Sequence, residues 1–352
     1  MSMQELLNQL DKSKRQVDFD SFDITVKEIA SMVHDNLINV APEYQRKFRW
    51  NPEAQSKLIE SLLLGIPVPN LFMAANRDGS WEVIDGVQRI SSVIHFIGDE
   101  EMLAVIGADK PLKLKNLDKL TAFNGLLFSD LPLAVQRHLL LKFMKITTIS
   151  DKSDFGIRFD LFERLNTGGV ALSPQEIRAC IYRGAFNEFL TECAHNTNFK
   201  IVARISKTRD KDGTSEELVL RFFAFLDNYQ QFDHSVIDFL NSYMADATAS
   251  FAYDFYGDIF EKTFEYLSEM LPRGIVRGNG NKTPVNLYEG VAVGVGLALK
   301  EGRELIAMPQ AKISDFINSD TLRVCTTGAT NSRVKVAQRI ELSRDFVTSD
   351  NV

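Results

Sequence analysis

The chain has 352 residues, 45% hydrophobic and 25% charged, with a formal net charge of −7. These totals exclude a disordered chain and a uniformly basic nucleic-acid binder, and the length suits two domains better than one. The three cysteines (Cys180, Cys193, Cys325) have neither zinc nor disulfide-framework spacing, and no apolar run is long enough to span a bilayer. The expectation is a soluble, cytoplasmic protein with no membrane partner.

Residues 1–20 read as a polar N-terminal extension without the apolar core of a signal peptide. Phe22–Val26 alternates like a strand and runs into a helix over Lys27–Asn36, with Ile29, Met32 and Val33 on its apolar face. Ala41–Trp50 is predicted to be extended, because Pro42 biases its predecessor away from helix. It sets Arg46, Lys47 and Arg49 among Tyr44, Phe48 and Trp50, a pattern that suits phosphates and bases, though the segment alone favours a strand edge with solvated cations and aromatic core anchors. Asn51-Pro52-Glu53 spells a helix start, and the helix stops at Gly65.

The stretch from Leu71 to Gly98 reads as strand, tight turn at Asp78-Gly79, strand and helix. Its second strand ends in Asp85-Gly86, and Val87-Gln88-Arg89 opens the helix. A helix start offers unpaired N–H groups and the positive end of the dipole to an anion, and Arg89 adds a guanidinium fork. Asp85 could hold a metal, cap the helix or take a proton. A capped helix with a surface arginine accounts for the same residues equally well.

Further on, short strands are predicted near Lys113–Lys115 and Gly125–Phe128, a helix over Pro132–Leu141 and a strand over Lys142–Ile149. From Asp154 the texture turns helical. Phe162-Glu163-Arg164-Leu165-Asn166-Thr167-Gly168-Gly169 reads as a helix stop whose glycines could let backbone approach a ligand. Ser173-Pro174-Gln175-Glu176 spells a capping box, opening a helix assigned Ile177, Cys180, Ile181 and Phe186. Glu163 and Glu176 could join Asp85 around a divalent cation if the fold gathers them. Phe-rich helices cover 216–270, and residues 272–286 are the candidate mobile loop. His95 is expected to pack or be solvated. Two basic clusters, Lys200–Lys211 and Arg323–Arg344 (with Arg333, Lys335 and Arg339), could touch a nucleic-acid backbone or form solvated faces.

Three motifs occur in order: Pro42-Glu43-Tyr44-Gln45-Arg46, Ile84-Asp85-Gly86-Val87-Gln88-Arg89, and Phe162 to Gly169 with Leu172-Ser173 and Glu176. Together they resemble the N-terminal domain family of GmrSD-type, modification-dependent restriction systems, over roughly residues 20–185. The resemblance implies an α+β fold: a ParB/sulfiredoxin-like mixed-sheet core over 21–155, then a mainly helical domain over 156–352. It links the Asp-Gly-Gln-Gln-Arg turn to nucleoside triphosphate binding and hydrolysis, so Asp85, Gln88 and Arg89 inherit catalytic positions, with Asp85 as the metal position. Tyr44, Gln45, Arg46, Gly86, Arg89, Arg164 and Asn166 inherit nucleotide- or phosphate-binding positions. Val87 replaces the family's first Gln. The implied cofactors are Mg²⁺ and a nucleoside triphosphate, and the implied partners are DNA and a partner nuclease chain, since no His-Asn-His nuclease site follows residue 185. The rival functions are a stand-alone metal-dependent DNA nuclease and a non-catalytic DNA- or protein-binding scaffold.

Overall fold

The structure is a computed structural model that describes residues 5–6, 19–40, 50–76, 78–150, 159, 161, 164, 173–206, 212–278, 280–328 and 330–348. Tyr44, Gln45, Arg46, Glu163 and Asn166 lie outside the described residues, as do Lys207, Arg209 and Lys211. The chain divides into two compact units, Met1–Ala171 and Leu172–Val352.

The first unit is built on a five-stranded mixed sheet. Its strands are β1 (Phe19–Thr25), β2 (Ile38–Asn39), β3 (Leu71–Ala75), β4 (Trp81–Asp85) and β5 (Phe143–Ile149), in the order β1-β5-β3-β4-β2. β1 pairs antiparallel with β5, β5 runs parallel to β3, β3 and β4 form an antiparallel hairpin, and β2 lies parallel to β4. Three helices cover this sheet's hydrophobic residues: α1 (Val26–His34), α2 (Pro52–Leu64) and α3 (Val87–Ile97). Each starts where its sequence signal stands. The Thr25 hydroxyl accepts from Glu28 N–H at 3.2 Å, and the Asn51 side chain accepts from Ala54 N–H at 2.9 Å. Ile90, Val93 and Ile94 of α3 are fully buried, packed in one core with Leu71, Met73 and Val83. Two 3₁₀ turns, a short helix α4 (Glu100–Val105) and α5 (Leu133–Leu140) complete the unit.

The strands expected near residues 113–115 and 125–128 do not form. Leu114 and its counterparts exchange only two backbone bonds, Leu114 N–H to Leu126 C=O and Gly125 N–H to Leu114 C=O, and Phe128–Asp130 is a 3₁₀ turn. The segment is instead held by α2: the Glu60 carboxylate accepts from the N–H groups of Lys119 and Leu120 at 2.8 and 2.7 Å.

The second unit is helical: α6 (Pro174–Ile181), α7 (Ala185–His195), α8 (Thr197–Val202), α9 (Thr214–Asn228), α10 (Val236–Ala249), α11 (Tyr253–Met270), α12 (Val285–Lys300), α13 (Gln310–Asn318), α14 (Asp320–Thr326) and α15 (Arg333–Thr348). The capping box at α6 forms in both directions, Ser173 N–H to Glu176 at 2.7 Å and Glu176 N–H to Ser173 at 3.1 Å. Phe186 is not on that helix; the chain turns at Gly184 and Phe186 packs from α7. The phenylalanines earn their number here: Phe199, Phe222, Phe223, Phe260 and Phe264 are fully buried and pack in tilted and edge-to-face pairs 4.4–6.0 Å apart.

Within the 272–286 stretch, described residues are held by burial and hydrogen bonds. Ile275 is fully buried, Ile275 N–H donates to Val202 C=O, Thr283 N–H donates to Arg204 C=O, and Arg277 donates to Ile317 C=O and to the hydroxyls of Thr326 and Thr327. The Arg323–Arg344 cluster is not one basic surface either. Arg339 has no exposed area and pairs with Glu289, while Arg344 pairs with Asp345 and Glu301.

Candidate functional site

The site stands where β4 passes into α3. Gly86 takes φ +110°, and a Cβ there would lie 2.3 Å from Leu71 Cδ2 and 3.1 Å from Arg89 Nη2. Only glycine lets the strand end turn so closely into the helix. Because Gly86 is also the N-cap, no side chain caps the first turn of α3. The start of this eleven-residue helix is the positive end of its dipole.

Arg89 folds back over this turn. Its Nη2 donates to Asp85 Oδ2 at 2.6 Å and to Asn70 C=O at 3.3 Å, and its Nε is buried without a hydrogen-bond partner. That Nε lies 3.3 Å from where a Gly86 Cβ would stand, so the unmet donor sits beside the uncapped helix start. The Arg89 side chain is 11% exposed and that of Asp85 33%. An unmatched buried donor on a charged group is costly, which makes this point a candidate for an anion.

Gln88 faces the neighbouring helix. Its Oε1 accepts the N–H of Trp50 at 3.0 Å, and Gln55 Nε2 donates to the Trp50 carbonyl at 2.6 Å. Gln55 Oε1 is then turned to His95 Nδ1 at 2.7 Å, and His95 Nε2 lies 2.8 Å from the Lys110 carbonyl. Both polar groups of the Trp50 peptide are thus clamped by side-chain amides. Trp50 is the residue at which the chain leaves the Tyr44–Arg49 stretch, so the exit of the first motif is tied to the second. Half-burial lowers the pKa of His95, while the Lys110 carbonyl raises it, and burial is the larger effect.

Of the residues read from the sequence, the structure brings together Asp85, Gly86 and Arg89, with Gln88 on the same helical turn. Arg164 is exposed on a helical position of the first unit. Glu176 is buried in the second unit, where its carboxylate accepts the Ser173 N–H of its own cap. Gln55 and the Asn70 carbonyl were not legible beforehand; nothing in their local sequence marks them, because what distinguishes them is their partners. Among the described residues no group of three His, Cys, Asp or Glu side chains could hold a metal ion. With the Arg89 guanidinium on Asp85, the donors among the described residues do not fit a protein-held Mg²⁺.

Residues 26–183 match the family model of the GmrSD restriction endonuclease, N-terminal domain. This segment of the chain is similar to that domain. The matched segment contains β2 to β5, both motifs described above and α6. No curated protein and no solved structure matches the chain. The domain that this segment resembles is, by its description, part of a restriction endonuclease. Among the described residues no helix is long and apolar enough to cross a membrane.

Proposed function

We propose that the β4–α3 turn of this GmrSD-type domain binds the phosphates of a nucleoside triphosphate and couples that binding to DNA recognition in restriction. The observation that carries the reading is the unpartnered, buried Nε of Arg89 beside the uncapped start of α3. Helix N–H groups and a guanidinium together offer a phosphate several charge-assisted hydrogen bonds. Tyr44, Gln45 and Arg46 join the site through the family resemblance, with the Gln88–Trp50–Gln55 clamp fixing where their segment ends. Hydrolysis would require Asp85 to exchange Arg89 for a water; transfer of a phosphoryl group is chiefly positioning and charge neutralisation, which the arginine and the helix start supply.

One observation favours a module that binds without hydrolysing: the Asp85 carboxylate and the Gln88 carbonyl oxygen already have protein donors at 2.6 and 3.0 Å. Titration calorimetry with a triphosphate panel, followed by phosphate release in Mg²⁺, decides between them. Arg89→Ala is expected to weaken triphosphate binding by about tenfold or more, the loss of one charge-assisted contact at ~1.5–3 kcal/mol. Asp85→Ala is expected to abolish turnover and spare binding if the site hydrolyses. Equal binding by wild type and Arg89→Ala removes the reading.

A further inference from the structure

The second unit gathers five cations from three distant stretches of an otherwise acidic chain. Arg204 follows α8; Arg273, Arg277 and Lys282 lie on the α11–α12 connection; Arg323 is on α14. Their proximity is fixed by bonds between these stretches. A Cβ at Gly274 would lie 2.8 Å from Arg204 Cγ, the Arg204 N–H donates to the Thr283 hydroxyl at 2.8 Å, and Thr283 N–H returns to the Arg204 carbonyl. This places Arg204 next to Arg273 and Lys282. Arg277 spans to α14, donating to Ile317 C=O at 3.2 Å, the Thr327 hydroxyl at 2.6 Å and the Thr326 hydroxyl, one turn from Arg323. Gly278 N–H adds a bond to Asn318 Oδ1.

What sets this group apart is its charge balance. Arg178, Arg221, Arg303, Arg339 and Arg344 of the same unit each pair with a carboxylate. None of the five cations does so among the described residues, and Asp315 and Asp320, on the helices they border, pair with none of them. Arg204, Arg273, Lys282 and Arg323 are exposed, as is Asn281. Arg277 is held so near Arg323 that burial and the second positive charge both lower its pKa. Leaving like charges together without counter-ions costs free energy that a bound polyanion recovers.

We propose that the surface formed by Arg204, Arg273, Arg277, Lys282 and Arg323 binds the phosphate backbone of duplex DNA. Forked guanidinium groups and an asparagine amide, carried on a connection that is itself pinned to two helices, are the side chains that track phosphate oxygens. The contacts are to backbone, so the surface adds affinity and register without reading sequence. It takes from the proposed function only the class of partner, and it stands apart from the nucleotide site.

The test uses the full chain, a fluorescein-labelled duplex and anisotropy over a salt series. Arg204→Gln, Lys282→Gln and Arg323→Gln are exposed changes, and the triple variant is expected to melt with the wild type. It should bind duplex at least about tenfold more weakly near 0.1 M salt, with a log–log salt slope smaller by about 2–3, since each lost phosphate contact removes ~0.9. If the triple variant melts early, Arg323→Gln alone, read by a slope change of about one, replaces it. Unchanged affinity and slope overturn the assignment, as does wild type that ignores duplex DNA while binding anionic vesicles or single-stranded RNA. Triphosphate binding, measured on the same samples, keeps the two readings separate: its absence from wild type ends the nucleotide reading and leaves the DNA surface to be judged on anisotropy.

Discussion

At the scale of single residues, His95 shows how a scattered histidine becomes structural. Both ring nitrogens face oxygens, Gln55 Oε1 and the Lys110 carbonyl, and only an imidazolium could donate to both. Half-burial opposes that charge and prevails, so the folded-state pKa lies below the unfolded one. The neutral form therefore favours folding: this contribution is complete above the unfolded value, about 6.5, and is lost as pH falls from there towards the folded value. His34 runs the other way, because its hydrogen bond to Asp35 raises its pKa. Comparison with His95→Gln cancels the His34 effect. Urea midpoints measured from pH 8 to pH 5 should decline more steeply for wild type than for His95→Gln, and parallel curves would show that His95 is not coupled to folding. Composition and spacing placed His95 among the packed or solvated histidines. Its role as a strut was illegible because its partners lie 40 and 15 residues away.

At the scale of elements, the helix starts were readable and the helix contacts were not. Asn51, Ser173 and the Asp85-Gly86 turn act through neighbours three or four residues off, so local sequence suffices to find them. The packing of α12 on α15 depends on glycines whose meaning is set by the opposing helix. A Cβ at Gly294 would lie 2.6 Å from Ser343 Cβ and 2.8 Å from the Ile340 carbonyl oxygen, whereas one at Gly257 on α11 would meet only Phe189, at 3.8 Å. Alanine improves helix propensity at either site by about 1 kcal/mol, but overpacking at a backbone contact costs about 1–3 kcal/mol. Thermal unfolding should therefore show Gly257→Ala stabilised and Gly294→Ala destabilised. The same sign for both would mean that the α12–α15 contact yields without cost.

At the scale of the whole molecule, charge is distributed in three ways. Surface pairs such as Lys262–Asp258 are exposed and contribute little. The Arg204–Arg323 surface leaves charge unbalanced. A chain of charges runs through the helical unit: Arg178 to Glu217 at 2.6 Å, Glu217 to Arg221 at 2.8 Å, Arg221 to Glu289 at 2.6 Å, and Glu289 to Arg339. Glu289 and Arg339 are essentially unexposed, so removing one leaves a buried charge short of its partner. Arg339→Ala is expected to cost about 3–5 kcal/mol in chemical denaturation, against less than about 1 kcal/mol for Lys262→Ala. A small loss at Arg339 would show that water reaches Glu289. Read as sequence, Arg339 belonged to a basic face; its partner is 50 residues away, and nothing local announces it.

The sequence by itself determined what depends on near neighbours: the β3–β4 hairpin, the strand-to-helix turn at Gly86, the Asn51 cap and the Ser173 capping box, the α+β-then-helical order and the three motifs that carry the family resemblance. Those signals act over a few residues, through φ preferences and hydrogen bonds to adjacent N–H groups. Only the tertiary structure decided which charges meet. It placed Arg89 on Asp85 with one donor unmatched, turned Gln88 to Trp50, buried Arg339, bonded Arg204 to Thr283 and tied Arg277 to Thr327 near Arg323. Coulombic partners and shared solvent exclusion act through space, and spatial neighbours far apart in the chain leave no trace in local residue order.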